Sequence, residues 1–242
     1  MKQGVFTIVE VVSLTSNVFK MVLEGDTSAI TSPGQFVEIQ IPGLFLRRPI
    51  SVCDFSHKDL TLIFKVVGEG TRVMASLKPG MQLDLLTGLG NGYDLSLSGD
   101  APLLLGGGVG VPPMYALCKA LLAQGKKPSV ILGFNTKDEI FYEDAFRALG
   151  VPVTVTTVDG SYGTRGFVTD AMDIPYTYFY TCGPLPMLRA IKNASRTSGQ
   201  LSLEERMGCG FGACMGCSIE TANGPRRVCK DGPVFHKEEV LL

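Results

Sequence analysis

Over the first hundred residues, apolar and polar positions alternate in short bursts. VFTIVEVVSL, VFKMVLEG, QFVEIQI, RRPISVCDF, LTLIFKVV and MQLDLLTGL are β-branched or alternating, and Gly, Pro and Asp separate them. A period of two with little helix predicts six short strands and a small antiparallel β-barrel over residues 1–99. One interruption, 71-TRVMASLKPG-80, reads as a short helix with Thr71 as its N-cap and Gly80 just past its end.

From about residue 100 the period lengthens. APLLLGG, SVILGF, VPVTVTTV and YTYFYTCG read as buried strands, and VPPMYALCKALLAQG, EDAFRALG and PLPMLRAIKNAS have helical spacing between and after them. Strands alternating with helices predict an α/β domain with a doubly wound parallel sheet over residues 100–200. The turn SLSGDAP marks the boundary with the barrel. Beyond residue 200 both patterns weaken, leaving a small third region, 201–242, that begins just ahead of a cluster of cysteines. The chain carries no internal repeat and no low-complexity segment.

Composition narrows the function classes. The 242 residues are 45% apolar and 19% charged, as in an ordinary soluble protein. Lys and Arg number 22 against 23 for Asp and Glu, so charge gives no reason to expect nucleic acid or an anionic membrane as partner. The N-terminus has no long apolar core of a signal peptide, and no run of about twenty apolar residues suggests a membrane span. The expected compartment is the cytoplasm, where clustered cysteines point to metal or redox chemistry rather than to disulfides. The two histidines, His57 and His236, lie far apart and read as surface residues.

Four motifs carry chemistry. In 105-LGGGVGVPP-113 the glycines Gly106, Gly107, Gly108 and Gly110 lie between a strand and a helix, where a dinucleotide diphosphate is usually held by free N–H groups. Neither G-x-G-x-x-G nor the P-loop pattern fits, and a tight turn without ligand is the plain alternative. In 180-YTCGP-184, Cys182 ends a strand at the edge where ligand crevices open in such sheets; a small buried thiol is the alternative. The turn 47-RRPIS-51 and the stretch 65-KVVGEGT-71 offer an Arg, a Gly-Thr pair and a helix start able to hold a second diphosphate, or else a surface Arg and a hairpin turn.

The fourth motif is the sharpest. Cys209, Cys214, Cys217 and Cys229 are spaced C-x4-C-x2-C-x11-C, and the first three match the plant-type [2Fe–2S] spacing. Gly208, Gly210, Gly212 and Gly216 allow the unusual dihedrals and close approach that a cluster-wrapping loop needs. Structural zinc usually takes two C-x2–4-C pairs, and only Cys214 and Cys217 form one.

Together these motifs resemble the ferredoxin reductase-like superfamily and, within it, the family of electron-transfer subunits of class B dihydroorotate dehydrogenases. R-P-I-S, G-G-G-x-G, C-G-P, E-E-R-M-x-C-G-x-G-A-C-x-x-C and V-C-x-D-G-P-V-F occur in order, and the resemblance covers essentially the whole chain. It implies an FAD-binding barrel (1–99), an NAD-binding α/β domain (100–200) and a [2Fe–2S] cluster-binding region (201–242). FAD would be held by Arg48, Pro49, Ile50 and Ser51, with Ile63, Phe64 and Lys65 along the flavin and Gly70 and Thr71 at its phosphates. Gly106, Gly107, Gly108 and Gly110, with Cys182, Gly183 and Pro184, would face NAD. The four cysteines would ligate the cluster, and Ser51 and Cys182 are the catalytic candidates. Many superfamily reductases have an aromatic residue where this chain has Ile50.

A flavin links one-electron and two-electron chemistry, so the expected route runs from cluster to FAD to NAD⁺. No base poised for a carbon acid stands out, which fits substrate chemistry on another chain. The resemblance implies an FMN-containing catalytic subunit that oxidises dihydroorotate in pyrimidine biosynthesis, in a heterotetramer of two of each. The rival is a small subunit of an NAD(P)H-ferredoxin oxidoreductase or sulfide dehydrogenase, whose motif tends to lack a cysteine at the position of Cys209.

Overall fold

The computed structural model describes residues 1–242. Six antiparallel strands, β1 (Lys2–Ser13), β2 (Val18–Glu24), β3 (Phe36–Ile39), β4 (Arg48–Phe55), β5 (Asp59–Lys65) and β6 (Gln82–Leu89), close a barrel in the order β1-β2-β5-β4-β3-β6. Closure leaves no open edge, and the period-two pattern sends one residue set inward. In β6 every second residue is buried, and Leu83 and Leu85 meet Phe6, Met21, Val37 and Leu62 inside.

Helix α1 (Glu69–Ser76) starts three residues earlier than an N-cap at Thr71 would place it. Its N-cap is Gly68, and Thr71 lies inside the first turn. The Thr71 hydroxyl still caps the helix, accepting the N–H groups of Val67 and Gly68 at 2.9 and 3.2 Å. A hydroxyl that reaches backward can satisfy free amides from within the helix, so the residue type signals the helix start without fixing its position.

The second half forms a seven-stranded sheet. Its parallel members are β7 (Leu103–Gly107), β8 (Ser129–Phe134), β9 (Val153–Thr157), β10 (Thr164–Arg165), β11 (Phe179–Cys182) and β12 (Gly199–Ser202). Helices α2 (Val111–Ala123), α3 (Glu143–Ala148) and α4 (Leu185–Ala194) lie along the connections. After β12 the chain makes a small hairpin, β13 (Ser218–Thr221) and β14 (Gly224–Arg227). It then returns as β15 (Val234–His236), antiparallel to β12. The order is β10-β9-β8-β7-β11-β12-β15. Strand succession reverses between β7 and β11, so a ligand crevice opens beyond their carboxyl ends.

Neither β12 nor β15 stood out in the sequence. Each is three or four residues long, too short to show a period. Polar contacts help fix the halves to each other. Lys119 on α2 pairs with Asp54 on β4 at 2.7 Å. The Asn91 side chain, just past β6, donates to the Val234 carbonyl at 2.8 Å and accepts its N–H at 3.0 Å. The strand that follows the cysteine region is thereby tied to the barrel's end. No helix is long and apolar enough to cross a membrane.

Candidate functional site

At the switch point lies a cavity of about 570 Å³. Gly107, Gly108 and Gly110 form one wall and Gly183 and Pro184 another, while Lys65 reaches in from the barrel. The four glycines of the turn divide by task. A Cβ on Gly106 would press on the Val111 backbone at 2.8 Å, and one on Gly110 would run into the Cys182 carbonyl, so both exist for close packing of α2 on the sheet. Gly108 has φ +51° and nothing within 4 Å of where its Cβ would be, so it leaves open space for a ligand. Helix α2 begins directly behind, but Pro112 and Pro113 carry no N–H and that of Val111 donates to the Gly108 carbonyl, so amides offered to a ligand here come from the glycine turn rather than from the helix end.

Cys182 sits behind this wall rather than in it, at 2% exposure. Burial, assisted by the nearby Glu204 charge, pushes its thiol up to about 12, so it is protonated at neutral pH. It is therefore no thiolate nucleophile; what it brings to the crevice is its shape and the backbone of Gly183. Glu204 stands open to the cavity, yet the surrounding walls desolvate its carboxyl and push it above the usual carboxylate range.

The barrel brings together the second expected group. Arg48 on β4 lies so close over Gly70 that any side chain there would strike its guanidinium. Gly70 and Thr71 occupy the first turn of α1, so an arginine and a helix N-terminus converge on one spot, the donor set for a diphosphate. Arg48 also donates to the Leu46 carbonyl, which holds it across the turn. Pro49, Ile50 and Ser51 follow on β4, in register with Glu38, Val37 and Phe36 of β3. Ile63 is buried between barrel and sheet. Phe64 turns into the barrel, stacked on Phe19 at 6.1 Å, so only its backbone is free to run along a flavin.

The cysteines are arranged two by two. The Cys209 sulfur accepts the backbone N–H of Cys214 and the Cys217 sulfur that of Cys229, so the chain itself links the four as two pairs; charge on Cys209 is felt at Cys229. No three His, Cys, Asp or Glu side chains close on a common point to hold a single ion. Two pairs side by side match a cluster in which each iron takes two thiolates. The loop also supplies the amides. The Cys209 sulfur accepts the N–H of Ala213 at 3.2 Å and of Cys214 at 3.5 Å, and Cys217 accepts that of Cys229 at 3.4 Å. Although burial opposes it, these amides and that of Phe211 bring the Cys209 thiol down to about 6, which suits a thiolate ligand. Gly210 and Gly212 have φ of +76° and +89°, and the loop cannot turn around the sulfurs without them. The donor chemistry fits a [2Fe–2S] group.

Three features escaped the sequence reading. Asn135 and Phe167 line the far end of the cavity, and Phe167 is 64% exposed there. Arg227 clamps the cluster loop: its guanidinium grips both oxygens of Asp231, at 3.0 and 3.1 Å, and donates to the Gly212 carbonyl at 3.1 Å. Glu38 lies under the loop, 1% exposed with neither carboxylate oxygen hydrogen-bonded. Only the i, i+4 spacing of Arg227 and Asp231 was visible beforehand.

Comparison with known proteins agrees with this geometry. Residues 204–241 match the iron–sulfur cluster binding domain of dihydroorotate dehydrogenase B, and residues 104–193 match the oxidoreductase NAD-binding domain. Among solved structures, that of an NADH-dependent reduced ferredoxin-NADP oxidoreductase has a TM-score of 0.88 at 29% identity, covering 98% of this chain and 90% of that one. A Neisseria gonorrhoeae ferredoxin NADP⁺ reductase with bound FAD and NADP shares the fold, with a TM-score of 0.70 at 16% identity over 80% of this chain and 90% of its own. Among curated proteins, the dihydroorotate dehydrogenase B (NAD(+)) electron transfer subunit of Fusobacterium nucleatum is 43% identical over 98% of this chain and 97% of its own length. That of Bacillus mycoides is 44% identical over 95% of each. Identity at this level along nearly the whole length places the chain in the family of dihydroorotate dehydrogenase B (NAD(+)) electron transfer subunits.

Proposed function

We propose that the chain passes electrons from the FMN of a catalytic partner subunit, by way of a [2Fe–2S] cluster and FAD, to NAD⁺, and so serves dihydroorotate oxidation in pyrimidine biosynthesis. When bound, the cluster exchanges single electrons, nicotinamide takes hydride, and the flavin converts between the two. The residues of this chain divide the work. Cys209 and Cys214 would hold one iron, and Cys217 and Cys229 the other. Arg48, Gly70 and Thr71 would bind the FAD diphosphate, and Ser51 would orient the flavin ring from β4. Gly107 and Gly108 would lie against the NAD diphosphate, with Gly110 packing α2 behind them and Gly183 and Pro184 shaping the nicotinamide end. Cys182 backs that end as a neutral thiol and keeps water out.

On this reading the boundaries near residues 99 and 200 separate a flavin barrel, a nucleotide domain and a cluster region. The cluster region faces the partner, because electron tunnelling needs closeness. Two copies of each chain form a heterotetramer in the cytoplasm. The observation that carries the proposal is the two-by-two cysteine arrangement lying against β3, the strand paired to the Arg48–Ser51 segment. The test is co-expression with the candidate catalytic subunit, co-purification, and an assay for dihydroorotate-driven NADH formation. Formation only when both chains are present is the expected result. An assembled complex with flavins and cluster loaded but no NADH would remove the dihydroorotate role. Recovery instead with a ferredoxin-reducing partner would favour the rival assignment.

A further inference from the structure

Glu38 is the residue whose placement nothing above explains. It is a carboxyl side chain on a barrel strand, 1% exposed, with both oxygens lacking a hydrogen-bond partner. Leaving such a group unpaired costs a fold on the order of 1–3 kcal/mol or more, so a chain without a use for it would carry an apolar residue there. Its neighbours Val37 and Ile39 point into the barrel, which sends Glu38 outward. What covers it is the cysteine loop: a Cβ on Gly210 would lie 2.5 Å from its Cγ and 2.7 Å from its Oε1. Gly210 directly follows Cys209, and on the barrel side Glu38 is in register with Pro49 of the Arg48–Ser51 segment. The carboxyl therefore lies between the cysteine loop and the strand expected to carry flavin.

Charge reaches it from two sides, from the arginines at the start of β4 and from the cysteine loop. Arg47 and Arg48 flank it from the turn before β4 and from β4 itself, but Arg47 spends its guanidinium on Asp84 of β6 and on backbone carbonyls. Arg48 is turned toward Gly70. From the loop side the group it feels is Cys209. With water excluded and no ion pair of its own, a charge here acts through a low dielectric on whatever sits at Cys209. Nearby charge and burial are among the levers by which a protein sets the potential of an iron–sulfur cluster.

We infer that Glu38 is a tuning residue of the chain's iron–sulfur centre: its buried carboxylate holds the cluster's reduction potential down and so favours electron release toward the flavin. This rests on the cluster assignment made above. It adds no atom transfer and no new reactant; it fixes where the one-electron equilibrium lies.

The experiment uses the full chain, purified without air with flavin and cluster in place. The cluster potential is measured at pH 8.5 against mediator dyes, with the reduced signal followed by electron paramagnetic resonance. E38Q keeps the shape and removes the charge, E38L removes polarity, and E38D keeps the charge. The expected result is that E38Q and E38L shift the cluster–dye equilibrium at least tenfold toward the reduced cluster, about 59 mV for a one-electron couple. E38D stays close to the parent chain, and the flavin midpoint moves less than the cluster's in every variant. An intact cluster with unmoved potential in E38Q and E38L overturns the proposal. So does a shift in E38D as large as in E38Q, which would mark a packing effect. Loss of the cluster from E38Q and E38L alone, with E38D loaded, would make Glu38 a residue of assembly and also overturn it. A parent chain with no iron–sulfur signal at all would instead refute the cluster assignment itself.

Discussion

The nicotinamide crevice and the cysteine loop are both built on glycine, but they use it in opposite ways. At the crevice, Gly106 and Gly110 let backbone pack on backbone, and the result is a rigid wall whose only open position is Gly108. In the loop, Gly210 and Gly212 supply left-handed turns, and the chain wraps four sulfurs, of which Cys217 and Cys229 are buried in the core while Cys209 and Cys214 lie nearer the surface. The crevice is held by the core of the sheet. The loop is held by its own amides, by the Arg227–Asp231 clamp and by the group it would bind. A preformed wall tolerates loss of its ligand; a loop organised by its ligand depends on it.

The sharpest break of this contrast comes from the ligands. Cys214→Ser or Cys229→Ser should abolish the iron–sulfur absorbance and the iron content, while FAD stays bound because Arg48 and Gly70 are untouched; metal analysis beside flavin fluorescence checks both. The next effect belongs to the clamp. Asp231→Asn or Arg227→Ala removes outer support from the loop, and cluster release on exposure to chelator should quicken by about 10–100-fold. FAD and NAD affinities should be unchanged in titrations.

The crevice answers differently. Gly110→Ala drives a Cβ into the Cys182 carbonyl, and overpacking of this kind costs about 1–3 kcal/mol. A lowered Tm with the cluster still loaded is expected. Gly108→Ala meets no neighbour and strains only its own φ, by about 1 kcal/mol. It should raise the KM for NAD with little loss of Tm. If the two alanines behave alike, the division between packing and ligand glycines fails. Smallest is Phe167→Ala, which removes an exposed ring at the cavity's far end; aromatic stacking of about 0.5–1.5 kcal/mol corresponds to a several-fold weaker NAD affinity by calorimetry.

What the sequence made legible follows from range. The barrel strands and the βα units announce themselves through local periods, and the C-x4-C-x2-C spacing is itself a geometry, because a loop that short brings its thiols together. The helix start at Gly68–Thr71 was readable by type but misplaced by position, since the Thr71 hydroxyl caps from inside. Strands β12 and β15 were hidden because they exist through pairing with distant chain, not through a pattern of their own. The same holds for Phe167 and Asn135, which tertiary folding alone brings to the cavity. Glu38 was concealed most thoroughly. In QFVEIQI it fills the polar slot of an alternating strand, and only tertiary folding brings the cysteine loop over it.

The central claim is that two cysteine pairs hold one two-iron centre in electronic contact with a flavin that also serves NAD. The most direct measurement is to purify the full chain without air, count iron, acid-labile sulfide and zinc, and then add NADH while recording absorbance and electron paramagnetic resonance. The claim predicts about two irons and about two sulfides per chain, with little zinc, and a reduced [2Fe–2S] signal that grows as NADH bleaches the flavin. About one zinc per chain with no sulfide, or a flavin that NADH reduces while the cluster stays oxidised although dithionite reduces it, would contradict it.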